Sequence, residues 1–422
     1  MSLSTIGRSF ASRNYQLFFL GQSLSLLGNW ITKTSILWLA YDLTHSPLFL
    51  GVIGFLSQIP NLLITPFAGV IIEHHQRRRV LIFAHSLSML IFLSLGLLCL
   101  TGLINTWLLI ALSITQGIIN SIVLPARQTF LGDIVQKEDI GNATALHSSL
   151  ATICRIIGPG IAGFLIAMVD ISYCFFLDAL SYIAVIIALA VMHIPPKQRD
   201  LSLNGSVEKP FLWQNLREGG IYVWTFLPIR LILLQIAAMS FLGMSYRSLL
   251  LIWATEIIKG DATTLGYLMA ATGVGALFAA LYLSNQPSIL GFAELVTFAP
   301  AVFGFALVTF CFVDSWLFSI ILMAIVGASS LMVSSASNAM LQTIADPDKR
   351  ARVMSFYTMA MMGILPLGEL FMGSLTQSIG ITYTLIISGS SCIVLAIFSA
   401  INLPNLQLVI RPIYIKNGLL PS

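Results

Sequence analysis

The sequence predicts an all-α membrane protein with twelve transmembrane helices in two six-helix bundles. Three observations lead there: an apolar composition, twelve apolar runs of spanning length, and a one-sided distribution of the basic residues between them. Hydrophobic residues make up 57% of the 422 and charged residues only 9%, with a mean hydropathy of +0.91. Soluble domains carry roughly 25% charged residues to cover a surface facing water, so this chain belongs in lipid. The apolar content excludes disorder, and the non-periodic glycines exclude a collagen-like repeat. The five cysteines (Cys99, Cys154, Cys174, Cys311, Cys392) all sit inside apolar runs and read as reduced packing residues rather than a disulfide framework.

A spanning helix takes about 20 residues. Runs of that kind lie near 16–41, 48–72, 79–102, 105–126, 144–168 and 171–194. The first is too long for a cleavable leader, lacks a small-residue cleavage site and leads directly into the second. Pro195-Pro196 stops the sixth. Lys197 to Lys209 reads as a solvated linker, and Phe211 to Trp224 mixes aromatic and charged residues, as an interfacial helix or a simple membrane-proximal tether would. Six more runs follow near 229–255, 263–284, 290–312, 315–342, 353–378 and 380–403. The organisation is therefore an N-terminal bundle (1–194), a cytoplasmic linker (195–228) and a C-terminal bundle with a short cytoplasmic tail (229–422).

With the N-terminus in the cytoplasm, the cytoplasmic segments hold Arg8, Arg13, Arg77 to Arg79, Arg127, Lys137, five basic residues from Lys197 to Arg230, Lys349, Arg350, Arg352, Arg411 and Lys416. The opposite loops hold Lys259 alone. The positive-inside rule then puts both termini in the cytoplasm of a protein of the cell inner membrane. The net charge of +4 is topological and implies no nucleic-acid partner. A constant offset lays Asp139 on Asp346 and Pro159 on Pro366, and Leu50-Gly51 has a counterpart in Leu265-Gly266. Such duplication is common in secondary transporters with a central site.

The run Arg13-Asn-Tyr-Gln-Leu-Phe-Phe-Leu-Gly-Gln-Ser-Leu-Ser-Leu-Leu-Gly28 resembles the opening of the major facilitator superfamily branch of enterobactin-exporter-like proteins and drug:proton antiporters. Pro125 to Phe130, Arg155 to Gly160, Asp346 to Ser355 and Leu365 to Gly368 resemble it as well. The resemblance covers essentially the whole chain and implies the superfamily fold, export and proton coupling. Its loop motif between helices two and three is matched at Gly69, Glu73, Arg77 and Arg78. There the family's acid latches the two halves, a role that falls to Glu73 with Arg127. A loop merely obeying the positive-inside rule also accounts for the arginines. Gly158-Pro159-Gly160, with Gly163, is similar to the exporter motif of helix five. Pro159 removes a hydrogen bond and the glycines permit close approach, so a bend or tight seam is expected, with gating or plain packing as its purpose.

Ionised residues at bilayer depth cost at least about 2.5–3.5 kcal/mol and usually face a protein-lined, watery interior. Lys33, Arg155, Asp178, Arg247 and Glu369 qualify. Gln22, Ser25, Asn29 and Lys33 share one face of helix one. Ser113, Gln116 and Asn120 repeat the pattern in helix four, and Ser330, Ser334, Ser337 and Asn338 in helix ten. The resemblance lines the central cavity with these helices. The expected substrate cavity is thus Gln22, Asn29, Lys33, Gln116, Asn120, Arg247 and Asn338. A carboxyl group in apolar surroundings binds a proton more readily than one in water, and neighbouring cations oppose this. Glu369, with Asp178 and Arg155, is the proton-coupling candidate, a fixed ion pair being the alternative for Glu369 and a structural hydrogen bond for Asp178.

His74-His75 lacks zinc-ligand spacing and no phosphate-binding Gly-x-x-x-x-Gly-Lys-Ser/Thr occurs, so no metal, cofactor or enzymatic activity is expected. The expected partners are a small-molecule substrate such as a drug or siderophore, protons and membrane lipid, acting on a monomer. A lipid or lysolipid transporter or scramblase, and an intramembrane enzyme or receptor-like binder, are the other classes.

Overall fold

A computed structural model describes residues 8–193, 212–286, 290–313 and 315–416. The expected linker Lys197 to Lys209 lies outside the described residues. The helices are α1 (Arg13–Thr44), α2 (Pro47–His74), α3 (Arg77–Leu100), α4 (Thr106–Ile134), α5 (Ile140–Met168) and α6 (Ile171–Val191). A short helix, Leu212–Thr225, precedes α7 (Leu227–Ile257), α8 (Ala262–Ser284), α9 (Phe292–Phe310), α10 (Trp316–Ile344), α11 (Arg350–Ile379) and α12 (Ile381–Lys416). No strand occurs among the described residues. The twelve long helices make this an all-α, multi-pass membrane protein. Eleven are apolar enough to cross a membrane, and α1, at 32 residues, is long enough but carries the polar stripe.

The sequence sets the helix starts. Side-chain oxygens of Ser12, Ser46, Asn105 and Asp170 accept the N–H groups of Tyr15, Phe49, Leu108 and Ser172 at 3.3, 3.3, 2.9 and 2.8 Å, meeting donors the helix itself leaves open. Pro47 and Pro228 sit in first turns, where a missing N–H costs nothing. Between α3 and α4, Gly102 takes φ +68°, the left-handed region that favours glycine. Two helices outrun their apolar segments. α4 continues through Pro125 to Ile134 and α12 through Pro404 and Pro412 to Lys416, because a helix need not end where the hydrocarbon does. Single π-helical turns interrupt α7 at Met239–Gly243 and Trp253–Ile257, and α11 at Met359–Gly363.

The chain forms two compact units. Unit 1 comprises Met1–Pro195, Arg247–Gly273 and Glu369–Ile381, and unit 2 the remaining segments, Pro196–Tyr246, Val274–Gly368 and Thr382–Ser422. Phe92, Phe130 and Phe175 are fully buried in unit 1, where Phe92 stacks on Tyr182 at 6.0 Å. Tyr246 and Phe303 meet edge to face at 5.7 Å in unit 2. Trp107, Phe83 and Ile401 stand exposed, as hydrocarbon solvent allows. The five cysteines are free.

In unit 2 the short helix Leu212–Thr225 is strapped to the start of α11. Glu218 pairs with Arg352 at 2.9 Å, the Asp346 N–H donates to the Tyr222 hydroxyl at 3.3 Å, and Lys349 lies 4.5 Å above the Tyr222 ring. Gly219 is buried, and a Cβ there would stand 3.1 Å from the Phe356 ring. Reversing one charge, Glu218→Arg, should lower the melting temperature, and adding Arg352→Glu should restore it by re-forming the pair, read by thermal unfolding in detergent. In unit 1, Asp261 precedes α8 and accepts from the Thr263 hydroxyl at 2.5 Å and the Thr264 N–H at 3.1 Å. Those donors, the Thr263 hydroxyl first, hold its carboxyl below the usual carboxylate range. A depressed folded value means stabilisation present at neutral pH and lost as pH falls through that value. Asp261→Ala should therefore destabilise the fold by about 1 kcal/mol at neutral pH, and the difference from the parent should shrink on acidification.

Candidate functional site

The long helices of unit 1 bear, among their ionisable side chains, Lys33 (α1), Arg127 (α4), Arg155 (α5), Asp178 (α6), Arg247 (α7) and Glu369 (α11). Their placement follows from two seams at which backbones come unusually close.

In the first seam α11 lies on the face of α2 that carries Pro47, Gly51, Gly54 and Gln58, whose spacings of four, three and four put them in one row. A Cβ on Gly51 would stand 2.6 Å from the Glu369 carbonyl oxygen and 3.0 Å from the Leu370 Cα, and one on Gly54 would collide with the Glu369 carboxylate. From the other side, a Cβ on Gly373 would lie 2.7 Å from the Pro47 carbonyl oxygen. The Glu369 carboxylate accepts a hydrogen bond from Gln58 Nε2 at 3.3 Å. Among the described residues no basic nitrogen comes within 4.0 Å of it. Arg247, and less strongly Lys33, act on it at longer range.

The second seam joins α5 to α8. The glycine-proline motif is tightly packed at Gly158, Pro159 and Gly163, while a Cβ on Gly160 would meet open space, and α5 runs unbroken through it. A Cβ on Gly266 would stand 2.7 Å from the Pro159 carbonyl oxygen and 3.2 Å from the Gly160 Cα, while Gly158 faces Trp30 of α1.

Lys33 is exposed, with Nζ 4.7 Å from the centroid of the Trp30 ring one turn earlier. The charges bearing on it are, largest first, Arg247 and Arg127, which repel it, then Glu369 and Asp178, which attract it. Asp178 is fully buried against Gly28 of α1 and accepts from the Ser181 hydroxyl of its own helix at 3.2 Å. It ties α6 to α1.

The remaining expected cavity residues are spread through both units. Gln22 is buried and its amide oxygen accepts from Arg127 at 3.4 Å. Asn29 is half-buried on α1. Gln116 donates to Asn120 on its own helix at 3.2 Å, and in unit 2 Asn338 accepts from Gln342 at 2.6 Å. Arg155 sits at the middle of α5. Gly69 and Glu73 fall in the last turns of α2, where their side chains lie outside the described residues. Arg77 pairs with Asp133 of α4 at 2.9 Å, and Arg78 donates to the Ala190 carbonyl. Arg127 donates to Gln22, and among the described residues Asp133 meets the loop arginine Arg77. Three neighbours went unremarked in the sequence: Gln58, Trp30 and Asp133. Gln58 carried a signal, being the polar residue that continues the Gly51, Gly54 row. Unit 2 also holds a groove of about 280 Å³ between α7, α9 and α12, with Gln235, Thr297, Ser399 and Asn402 among leucines and Phe398, and no ionisable group in its lining.

A family model described as transmembrane secretion effector matches residues 8–410. The chain belongs to that family. The transporter is thereby a member of the major facilitator superfamily, in the branch that holds drug-efflux proteins. It is 27% identical over 380 residues to the Staphyloferrin A transporter of Staphylococcus aureus, covering 89% of this chain and 93% of that one. It is 23% identical over 386 residues to the multidrug efflux pump Tap of Mycolicibacterium fortuitum, covering 90% and 93%. The solved inward-facing, occupied structure of a bacterial homologue of the human lysosomal transporter Spinster matches with a TM-score of 0.71, covering 98% and 99% at 12% identity, a likeness of fold alone.

The seams make the transporter sensitive to single methyl groups. Gly51→Val and Gly266→Val should each cost about 1–3 kcal/mol through overpacking, seen as a lower melting temperature. Gly141→Ala, in open space on α5, should be neutral or stabilising.

Proposed function

We propose that this transporter exports an amphipathic small molecule such as a drug or siderophore by proton antiport, the 1–194 and 229–422 halves rocking about a central cavity. In this reading it works as a monomer in the cell inner membrane with both termini cytoplasmic. The observation that carries it is Glu369. Its carboxylate lies on a spanning helix, bonded to neutral Gln58, within electrostatic range of Lys33 and Arg247 and pressed against the glycine row of α2. Taking up a proton there removes the attraction to both cations without breaking a contact ion pair, so proton binding changes the field felt by a substrate beside Lys33. The names of the relatives, a siderophore transporter and a multidrug efflux pump, support export of this kind of cargo.

In proteoliposomes with an imposed pH gradient, Glu369→Gln should abolish gradient-driven substrate movement while binding persists. Undiminished transport excludes Glu369 as the proton carrier. Movement of headgroup-labelled lipid without a gradient would favour the lipid-handling alternative.

A further inference from the structure

We propose that the cargo is an anion, whose carboxylate, sulfonate or phosphate group is held by Lys33 with the support of Arg247 and Arg127. This rests on the transport reading above and names its substrate class. Away from the ends of its apolar runs, unit 1 carries three cations, Lys33, Arg155 and Arg247, against two carboxylates, Asp178 and Glu369, and Arg127 follows toward the cytoplasmic end. Positive charge is therefore in excess at bilayer depth, where each unbalanced charge is costly.

The contacts keep that excess available. Both carboxylates are held by neutral groups, Glu369 by Gln58 at 3.3 Å and Asp178 by Ser181 at 3.2 Å. Two of the cations also have neutral partners. Lys33 lies over the Trp30 ring at 4.7 Å, and Arg127 donates to the Gln22 amide oxygen at 3.4 Å. Among the described residues no carboxylate lies within 4.0 Å of the Lys33 ammonium. Arg247 and Arg127 repel it and Glu369 and Asp178 attract it, all from beyond contact distance. Lys33 is also exposed, so its ammonium can be reached. A bound anion supplies the missing counter-charge through charge-assisted hydrogen bonds, and the same field repels a cation. The Trp30 ring adds apolar surface for the rest of an amphipathic cargo.

The test uses the full chain in lipid nanodiscs at neutral pH without a gradient, with empty discs subtracted. The probes are fluorescein and rhodamine 123, which share a three-ring frame but carry opposite charge, and binding is read by fluorescence anisotropy. Fluorescein should bind at least about tenfold more tightly than rhodamine 123. Lys33→Met should weaken fluorescein about tenfold to a hundredfold, the worth of one hydrogen bond to a charged group, without weakening rhodamine 123. Lys33→Arg should retain fluorescein binding, and Arg247→Gln should weaken it, which guards against misfolding of a single variant. Equal or tighter binding of rhodamine 123, no binding of either dye, or unchanged fluorescein affinity in both Lys33→Met and Arg247→Gln overturns the proposal. No gradient is applied, so failure of proton coupling is a separate result: a preserved preference for fluorescein with no pH-driven dye movement in liposomes would sink antiport and leave the anion site standing.

Discussion

The close approach of α11 to α2 is the constraint on which the rest of the site depends. Lipid offers helices no hydrophobic reason to associate, so contact must come from packing and hydrogen bonds, and both need backbones that can approach. Gly51 and Gly54 remove the side chains that would hold α11 away, and Gly373 does the same from the other side. Glu369 thereby comes to lie against a helix that offers it one neutral donor, Gln58. A longer residue at either glycine would displace the carboxylate and lengthen that bond, so packing and electrostatics at this point are one property.

The two seams are unequal copies of one device. Leu50-Gly51 opens the contact of α2 with α11, and its counterpart Leu265-Gly266 opens the contact of α8 with α5. The offset that lays Pro159 on Pro366 also lays Ala162 on Glu369. Ala162 is buried against Ile31 of α1 and Cys174 of α6, whereas Glu369 lies against α2 in the first seam. A structure with ionisable groups at both seams would have to stabilise two of them at depth, at several kcal/mol each.

The span count could be read from the sequence because hydrocarbon imposes a length and composition that no packing detail alters. The polar face of α1, with Gln22, Ser25, Asn29 and Lys33, was equally visible in its periodicity. The helix ends were less so: α4 runs on past Pro125 because Arg127 folds back onto Gln22 and Asp133 meets Arg77, contacts made across the bundle. The partners of the charges within the spans were not readable either. Lys33 rests on Trp30, its own neighbour along the helix, while Glu369 takes a partner more than three hundred residues away. Periodicity shows which residues share a face, and only the tertiary fold shows what that face meets.

Why charges at such depth have neutral partners follows from the strength of the alternative. Two opposite unit charges in contact attract by about 4 kcal/mol even at an effective dielectric of 20, and more in a drier interior. A transporter that locked Glu369 to Lys33 or Arg247 at contact distance would have to supply that energy at every proton exchange and every substrate exchange. Holding the carboxylate with Gln58 and the ammonium with Trp30 satisfies each group locally while the cations still act on the carboxylate through space. The coupling is then strong enough for one binding event to bias another, and weak enough for either ligand to leave.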